Sequence, residues 1–471
     1  MGTVVAVDLG ATSGRVVVGA IEGGRVRTEI VARFPNRPVA TPDGLHWDIH
    51  GLFASVIDGL AAARRASSDV ASVAIDSWAI DYGLLRGGRL VGNPFHYRDQ
   101  RVNGVIDEVH AIVAPKELFR RNGLQHLPFT TLYQLCADRQ WLDIVDTALL
   151  IPDLIGYWLT GVEHAERTNA STTGLLNVAS HTWDLELCEQ LGIPGRILPS
   201  LVEPGVTIGS TLPYLTDLLG GGIPIVSVGS HDTASAVVAV PMDPTTSVYI
   251  SCGTWALVGV ETESPIVSEQ ARMANFTNEA GVDGRNRFLH NVMGLWLINE
   301  SLRTWGLGDD TDEIARLVKA AADVDHGVAV FDPNDPRLLP PGDIPSRVEA
   351  ICREQGLRLP SSRPEMLRSI LESLTRSFAD AIGSATTLSG KSVRTVHIVG
   401  GGSLNELLCQ LTANHSGLTV AAGPVEATAI GNVLVQARAC GMLSGDIEAL
   451  RAVVKDSVSV TTFQPKDGGA R

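Results

Sequence analysis

The chain has 471 residues, 44% of them hydrophobic and 19% charged, with a formal net charge of −15 at pH 7. That length exceeds one ordinary hydrophobic core, so two domains are expected; the acidic balance argues against nonspecific nucleic-acid binding and leaves room for a local phosphate site. No apolar run reaches the ~20 residues of a membrane span, no basic n-region precedes the first strand, and six cysteines without metal or disulfide spacing point to a cytoplasmic protein.

Val4–Asp8 reads as an apolar strand that runs into an aspartate. The small-residue turn Gly10-Ala11-Thr12-Ser13-Gly14 follows, and Arg15–Ile21 reads as a second strand. Glycines let backbone N–H groups approach an anion closely, and a carboxylate at the lip of such a turn can hold hydrated Mg²⁺ beside phosphate oxygens. The hairpin therefore suggests a nucleotide-phosphate site; an ordinary glycine-rich turn is the alternative. A Rossmann fingerprint is excluded, because it needs a helix after the glycines. Gly23-Gly24 reads as a further hairpin turn, leading to a third strand over Val26–Phe34.

Ile49–Arg65 has helical spacing and Val70–Asp76 reads as a strand. Ala148–Leu159, with Pro152 near its start and Gly161 as its cap, reads as a short buried helix. The glycine-rich joint Leu219–Pro224 places the expected domain boundary between residues 222 and 223, giving domains over 1–222 and 223–471.

The second half opens on a buried strand, Ile225–Val228, that delivers Ser230-His231-Asp232-Thr233. Asp232 suits either a helix N-cap or a ligand-facing carboxylate beyond a strand end. Ser247–Gly259 repeats the pattern of strand, small-residue turn and strand. Two such hairpins suggest a duplicated fold with nucleotide clamped between its halves. Pro364–Leu388 reads as a long amphipathic helix. The Gly390-Lys391-Ser392 after it fails as a P-loop, since Ala385 stands at the first glycine position. The strand from Thr395 runs into Gly400-Gly401-Gly402, where adenine or ribose can lie on backbone bared of side chains, a plain βα turn being the alternative. Ser403 is the expected N-cap of a helix over Leu404–Ala413.

Asp8 with Gly10 and Gly14, then Gly253-Thr254, then Gly400-Gly401-Gly402, resemble in their order the sugar-kinase branch of the actin, chaperone and hexokinase superfold. Glu426-Ala427-Thr428-Ala429-Ile430-Gly431-Asn432 is similar to the C-terminal signature of the FGGY carbohydrate kinases. The resemblance implies an α/β protein of two ribonuclease-H-like (actin-like ATPase) domains with an interdomain cleft. It implies ATP and Mg²⁺ as cofactors and in-line phosphoryl transfer to a sugar, with Asp232 as the base. It places Asp8 at the metal, Ala11, Thr12, Ser13, Gly14 and Arg15 in the first phosphate loop, and Thr254 in the second. Asn299 and Gly400, Gly401 and Gly402 align with nucleotide contacts; His231, Thr233 and Asn291 align with sugar contacts.

Tyr97-Arg98-Asp99, Leu127–Leu135, Ser251–Trp255 and Asn291–Trp296 match the branch of the family that acts on L-rhamnulose, which implies phosphorylation of its 1-hydroxyl. Ala79 stands where the substrate segment Ile75–Asp81 usually carries glycine. One added methyl at a close contact is worth ~1 kcal/mol, so L-fuculose and L-ribulose remain alternatives. Asn299 replaces a commonly longer Gln. A non-catalytic, chaperone-like ATP-binding member of the superfold is the remote alternative, which the joint retention of Asp8, Thr254 and Asp232 opposes. A monomer or homodimer is expected.

Overall fold

Three antiparallel strands open the chain: Thr3–Leu9, Ser13–Glu22 and Arg25–Pro35. The valines of the first two strands are buried in consecutive runs, and the turn at Gly23-Gly24 has both residues at positive φ, as a two-residue hairpin demands. The structure is a computed structural model and describes residues 2–308, 310–324 and 327–466. The helix Ile49–Ala66, capped by the Asp48 carboxylate on Gly51 N, buries Leu52, Val56 and Leu60 and returns the chain for a parallel strand. That strand, Val70–Ser77, pairs with Thr3–Leu9, and Pro224–Val226 pairs parallel beside it, with Thr207–Ser210 on the edge of a six-stranded sheet.

Residues 148–150 do not begin a helix. They belong to the strand Thr147–Leu150, which pairs with Tyr82–Arg86; the helix Ile151–Thr160 starts after it, with Pro152 in its first turn and Gly161 as its left-handed cap. Apolar runs this short fit a strand or a helix equally well, and the strand partner decided it.

A second sheet repeats the plan. Ser247–Cys252 and Trp255–Thr262 form a hairpin; Thr395–Val399 and Thr419–Ala422 add in parallel, and Thr461–Phe463 closes the edge antiparallel. Asn286–Met293 lies beside Trp255–Thr262. The long helix Arg363–Ser389 starts at the Ser362 cap and ends at Gly390. Ser403 is not a helix cap: it sits in a short 3-10 turn, Gly401–Leu404, and its hydroxyl donates to Gly400 O at 2.7 Å. Asn405 caps the helix Glu406–Ser416 instead, accepting from Leu408 N.

The chain divides into two compact units. The first comprises Met1–Pro241, Glu261–Phe288 and Glu426–Val458; the second comprises Met242–Val260, Leu289–Val425 and Ser459–Arg471. Residues 223–241, expected at the head of the second domain, pack into the first unit, because Pro224–Val226 is a strand of the first sheet. No helix among the described residues is long and apolar enough to cross a membrane.

Candidate active site

In the first unit, three adjacent parallel strands point their carboxyl ends at one place, where open α/β sheets bind ligands. Asp8 near the end of the first strand aligns with Asp76 on its neighbour. The third strand leads to Ser230, whose carbonyl accepts from Ser77 N at 2.9 Å, and so to His231 and Asp232. Asp232 is not the helix N-cap: His231 occupies that position, and Asp232 lies in the first turn of Asp232–Val238, where the helix dipole favours a carboxylate. Its side chain keeps 31% exposure, whereas Asp8 has 5%. Thr233 donates its hydroxyl to Asp232 Oδ1 at 3.1 Å.

The site holds more carboxylates than cations. Burial pushes Asp8 up, Arg15 opposes it, and Asp232 and Glu426 add to the upward push. Arg15 reaches Asp8 Oδ2 with Nε at 2.8 Å and Nη2 at 2.6 Å, and its Nη1 pairs with Glu426. Asp76 is pushed well above the carboxylate range by burial and by Asp8; Asn432 Nδ2 donates to its Oδ2 at 2.6 Å, and its buried Oδ1 has no hydrogen-bond partner. This excess of negative charge suits a divalent cation at Asp8. Among the described residues no cluster of three or more His, Cys, Asp or Glu side chains could hold a metal by itself.

The first hairpin closes tightly through Gly10 N donating to Ser13 O at 2.9 Å. Thr12 and Ser13 stand exposed at its tip, Ala11 is half-buried, and Gly14 is buried against the Phe34 ring. Asn36, which sequence reasoning missed, braces the turn: its backbone N–H donates to Thr12 O and its Nδ2 to Gly10 O, each at 3.0 Å.

Ala79 and Ile80, both half-buried, form a γ-turn in which Asp81 N donates to Ala79 O at 2.9 Å and Ile80 takes φ 70°. A β-branched residue in that conformation is strained. Its carbonyl is held by the Thr131 hydroxyl at 2.6 Å. Asp81 anchors this segment: Trp47 Nε1, Trp78 Nε1 and Tyr97 N donate to Oδ2, and Gln134 Nε2 donates to Oδ1. Burial pushes Asp81 up to about 6 against those donors. Trp78 is core, 6% exposed and packed on Trp47 at 4.2 Å between ring centroids.

The second unit gathers the remaining expected residues. Thr254 is half-buried at the tip of the second hairpin, and its carbonyl accepts from Gly294 N and Trp296 N. Asn299 is exposed, early in the helix Trp296–Thr304, and Asn291 is half-buried on Asn286–Met293. Gly400 takes φ 79°, and a Cβ there would lie 3.0 Å from Cys252 O. Gly402 is packed on the Cys252 side chain so closely that no Cβ fits. The triplet thus lies directly on the second hairpin, with Gly401 exposed.

The segment Glu426–Asn432 belongs to the first unit. It begins the helix Ala427–Ala439, and a Cβ on Gly431 would collide with Ser235 O of the helix that carries Asp232. Asn432 and Gln436 then reach the first sheet, at Asp76 Oδ2 and Val5 O. Sequence reasoning gave no role to Asp76, Asp81, Glu279 or Arg287. No local pattern singles out Arg287, which follows Arg285 and Asn286 in a polar stretch.

Comparison with known proteins follows the same lines. Residues 3–239 match the family model described as "FGGY family of carbohydrate kinases, N-terminal domain", and residues 248–440 match the corresponding C-terminal domain. A rhamnulokinase of Bacteroides thetaiotaomicron is 36% identical over 471 residues, covering 99% of this chain and 96% of the relative. A rhamnulokinase of Enterobacter sp. (strain 638) is 39% identical over 468 residues, covering 98% and 94%. Among solved structures, ligand-bound xylulose kinase from Lactobacillus acidophilus superposes with TM-score 0.82 at 18% identity, covering 100% of this chain and 95% of that one. Gluconate kinase from the same organism gives TM-score 0.80 at 16% identity, covering 100% and 94%. These structural neighbours share the two-domain, actin-like ATPase fold.

Proposed function

The chain belongs to the FGGY family of carbohydrate kinases, and on that premise we propose that it transfers the γ-phosphoryl group of ATP to the 1-hydroxyl of L-rhamnulose. The observation that carries the reading is Asp232, a partly exposed carboxylate at the start of a helix, beside the buried pair Asp8 and Asp76. It takes the proton of the sugar hydroxyl, which turns acidic only as its oxygen bonds to phosphorus, so no raised affinity for protons is needed. His231, Thr233 and Asn291 orient the sugar, and Ala79 with the γ-turn at Ile80 shapes its wall. The choice of L-rhamnulose is supported by the relatives named rhamnulokinase at 36% and 39% identity over nearly the full chain.

Ala11, Thr12, Ser13, Gly14 and Arg15 receive phosphate oxygens at the first hairpin, and Thr254 at the second. Asn299, Gly400, Gly401 and Gly402 receive the adenosine. Asp8 would hold Mg²⁺ through water, and the ion would spread the charge of the phosphates. Six free cysteines, five of them buried, suit the reducing cytoplasm, where we place the reaction.

The test is ADP release over a panel of L-rhamnulose, L-fuculose and L-ribulose. L-Rhamnulose should give the highest kcat/KM, and Asp232→Asn should lower turnover roughly a thousandfold with ATP binding retained. A different sugar winning by more than ~100-fold refutes the substrate, and Asp232→Asn within ~10-fold of wild type refutes the base. Sugar-independent ADP release would favour a non-catalytic role.

A further inference from the structure

His231 is buried, and its two ring nitrogens face different partners. Nε2 lies 3.5 Å from Asp232 Oδ1. Nδ1 lies 3.1 Å from Arg287 Nη2 and 3.3 Å from Glu279 Oε2. Arg287 is fully buried and Glu279 nearly so; they stand 3.1 Å apart, and Arg287 Nε donates to Ala280 O at 3.0 Å. All four side chains lie in the first unit.

A guanidinium only donates hydrogen bonds. The Glu279 carboxylate only accepts them, so Nδ1 has a partner whether or not it carries the ring proton, and the ring is held with Nε2 facing Asp232. We propose that Arg287 and Glu279 are positioning residues that hold the His231 ring through Nδ1, so that Nε2 is presented to a sugar oxygen beside the base. The proposal rests on the reading of His231 and Asp232 as sugar site and base.

Three observations support it. A buried arginine is costly unless paired, and here Glu279 pairs it at the one place where its Nη2 also meets the imidazole. Burial pushes Glu279 up, but Arg287 and His231 outweigh that and hold it below the usual range, so the pair is ionised at neutral pH. With Nδ1 engaged by the pair, the ring has only Nε2 to offer to the sugar. A merely space-filling pair would need neither the charge nor this orientation.

The experiment is a double-mutant cycle on kcat/KM for L-rhamnulose. One arm carries Glu279→Gln with Arg287→Met, which removes both buried charges together; the other carries His231→Asn. The pair variant should lose about tenfold to a hundredfold in kcat/KM for the sugar, the worth of one buried charge-assisted hydrogen bond, with KM for ATP unchanged. Combined with His231→Asn it should cost no more than about twofold further, because both arms act on the same contact between imidazole and sugar. Full additivity within about twofold overturns the proposal, as does a pair variant with wild-type kcat/KM. Should the pair variant fail to fold, Glu279→Gln alone enters the same cycle with the same criteria. If His231→Asn and Asp232→Asn both leave sugar phosphorylation intact, the parent reading fails; if they impair it and the cycle is additive, only this inference fails.

Discussion

Asp8 and Asp76 stand side by side on two parallel strands, both buried, with the guanidinium of Arg15 on Asp8 and the amide of Asn432 on Asp76. Two carboxylates this close do not share ionisation equally. Burial pushes both up; Arg15 opposes the push on Asp8, and Asp76, pushed further by burial and by Asp8, is the one that holds its proton more readily. Asp76 braces the first sheet against the helix Ala427–Ala439 through Asn432.

Asp76→Asn imitates the protonated form and keeps an acceptor for Asn432. A carboxyl whose folded-state pKa is raised contributes stability that is complete below its unfolded value and is lost as pH climbs through the folded value. The variant should therefore gain on wild type as pH rises from about 4 to about 8, by roughly 2–4 °C in Tm per kcal/mol recovered. A Tm difference independent of pH would show that Asp76 does not change ionisation on folding.

Asp81→Asn should behave oppositely in magnitude although the substitution is the same. Four N–H donors converge on Asp81, so an amide there turns its own NH₂ onto Gln134 Nε2. Gln134 cannot flip without losing its Oε1 contact to Arg101 Nη2 at 2.8 Å. Wild-type stability falls as Asp81 ionises between its ordinary value and about 6; the variant removes that slope, so its loss of about 1–3 kcal/mol at low pH shrinks as pH rises. Denaturant melts at pH near 4 and near 8 check both parts, and a loss that is absent at pH near 4, or equal at the two pH values, contradicts them.

Gly431→Ala should cost about 1–3 kcal/mol and lower kcat, because the new methyl meets Ser235 O and displaces the helix that carries Asp232. The KM for ATP should change little by comparison. Thermal melts with steady-state kinetics check this; a stable variant with wild-type kcat would mean that the two helices separate without moving Asp232.

Cys252 lies in the second hairpin, 1% exposed, with its thiol pushed up to about 12 by burial. Thiolate is the reactive form, so the native enzyme should retain activity through prolonged iodoacetamide treatment at neutral pH. Stoichiometric alkylation of Cys252 in the folded protein, found by peptide mass analysis, would contradict the burial.

The first hairpin was legible from residues 4–21 because all it needs is local: runs of β-branched residues, two glycines, and pairing partners close in sequence. The second hairpin, the long helix Arg363–Ser389 and the glycine triplet were legible for the same reason. Short segments were less so. Residues 148–150 became strand only because Tyr82–Arg86 offers an edge, and Asn405 took the cap assigned to Ser403 because the chain first makes a 3-10 turn.

By itself, then, the sequence determined the strand–turn–strand elements, the superfold they belong to and the carboxylate at Asp232, since periodicity and turn chemistry are encoded within a few residues. Only the tertiary structure decided which unit Asp232 belongs to, that Asn432 braces Asp76, and that Arg287 and Glu279 stand behind His231. Those partners come from distant parts of the chain, and a buried polar group chooses its partner by geometry and by the cost of remaining unpaired, neither of which is written in any local pattern.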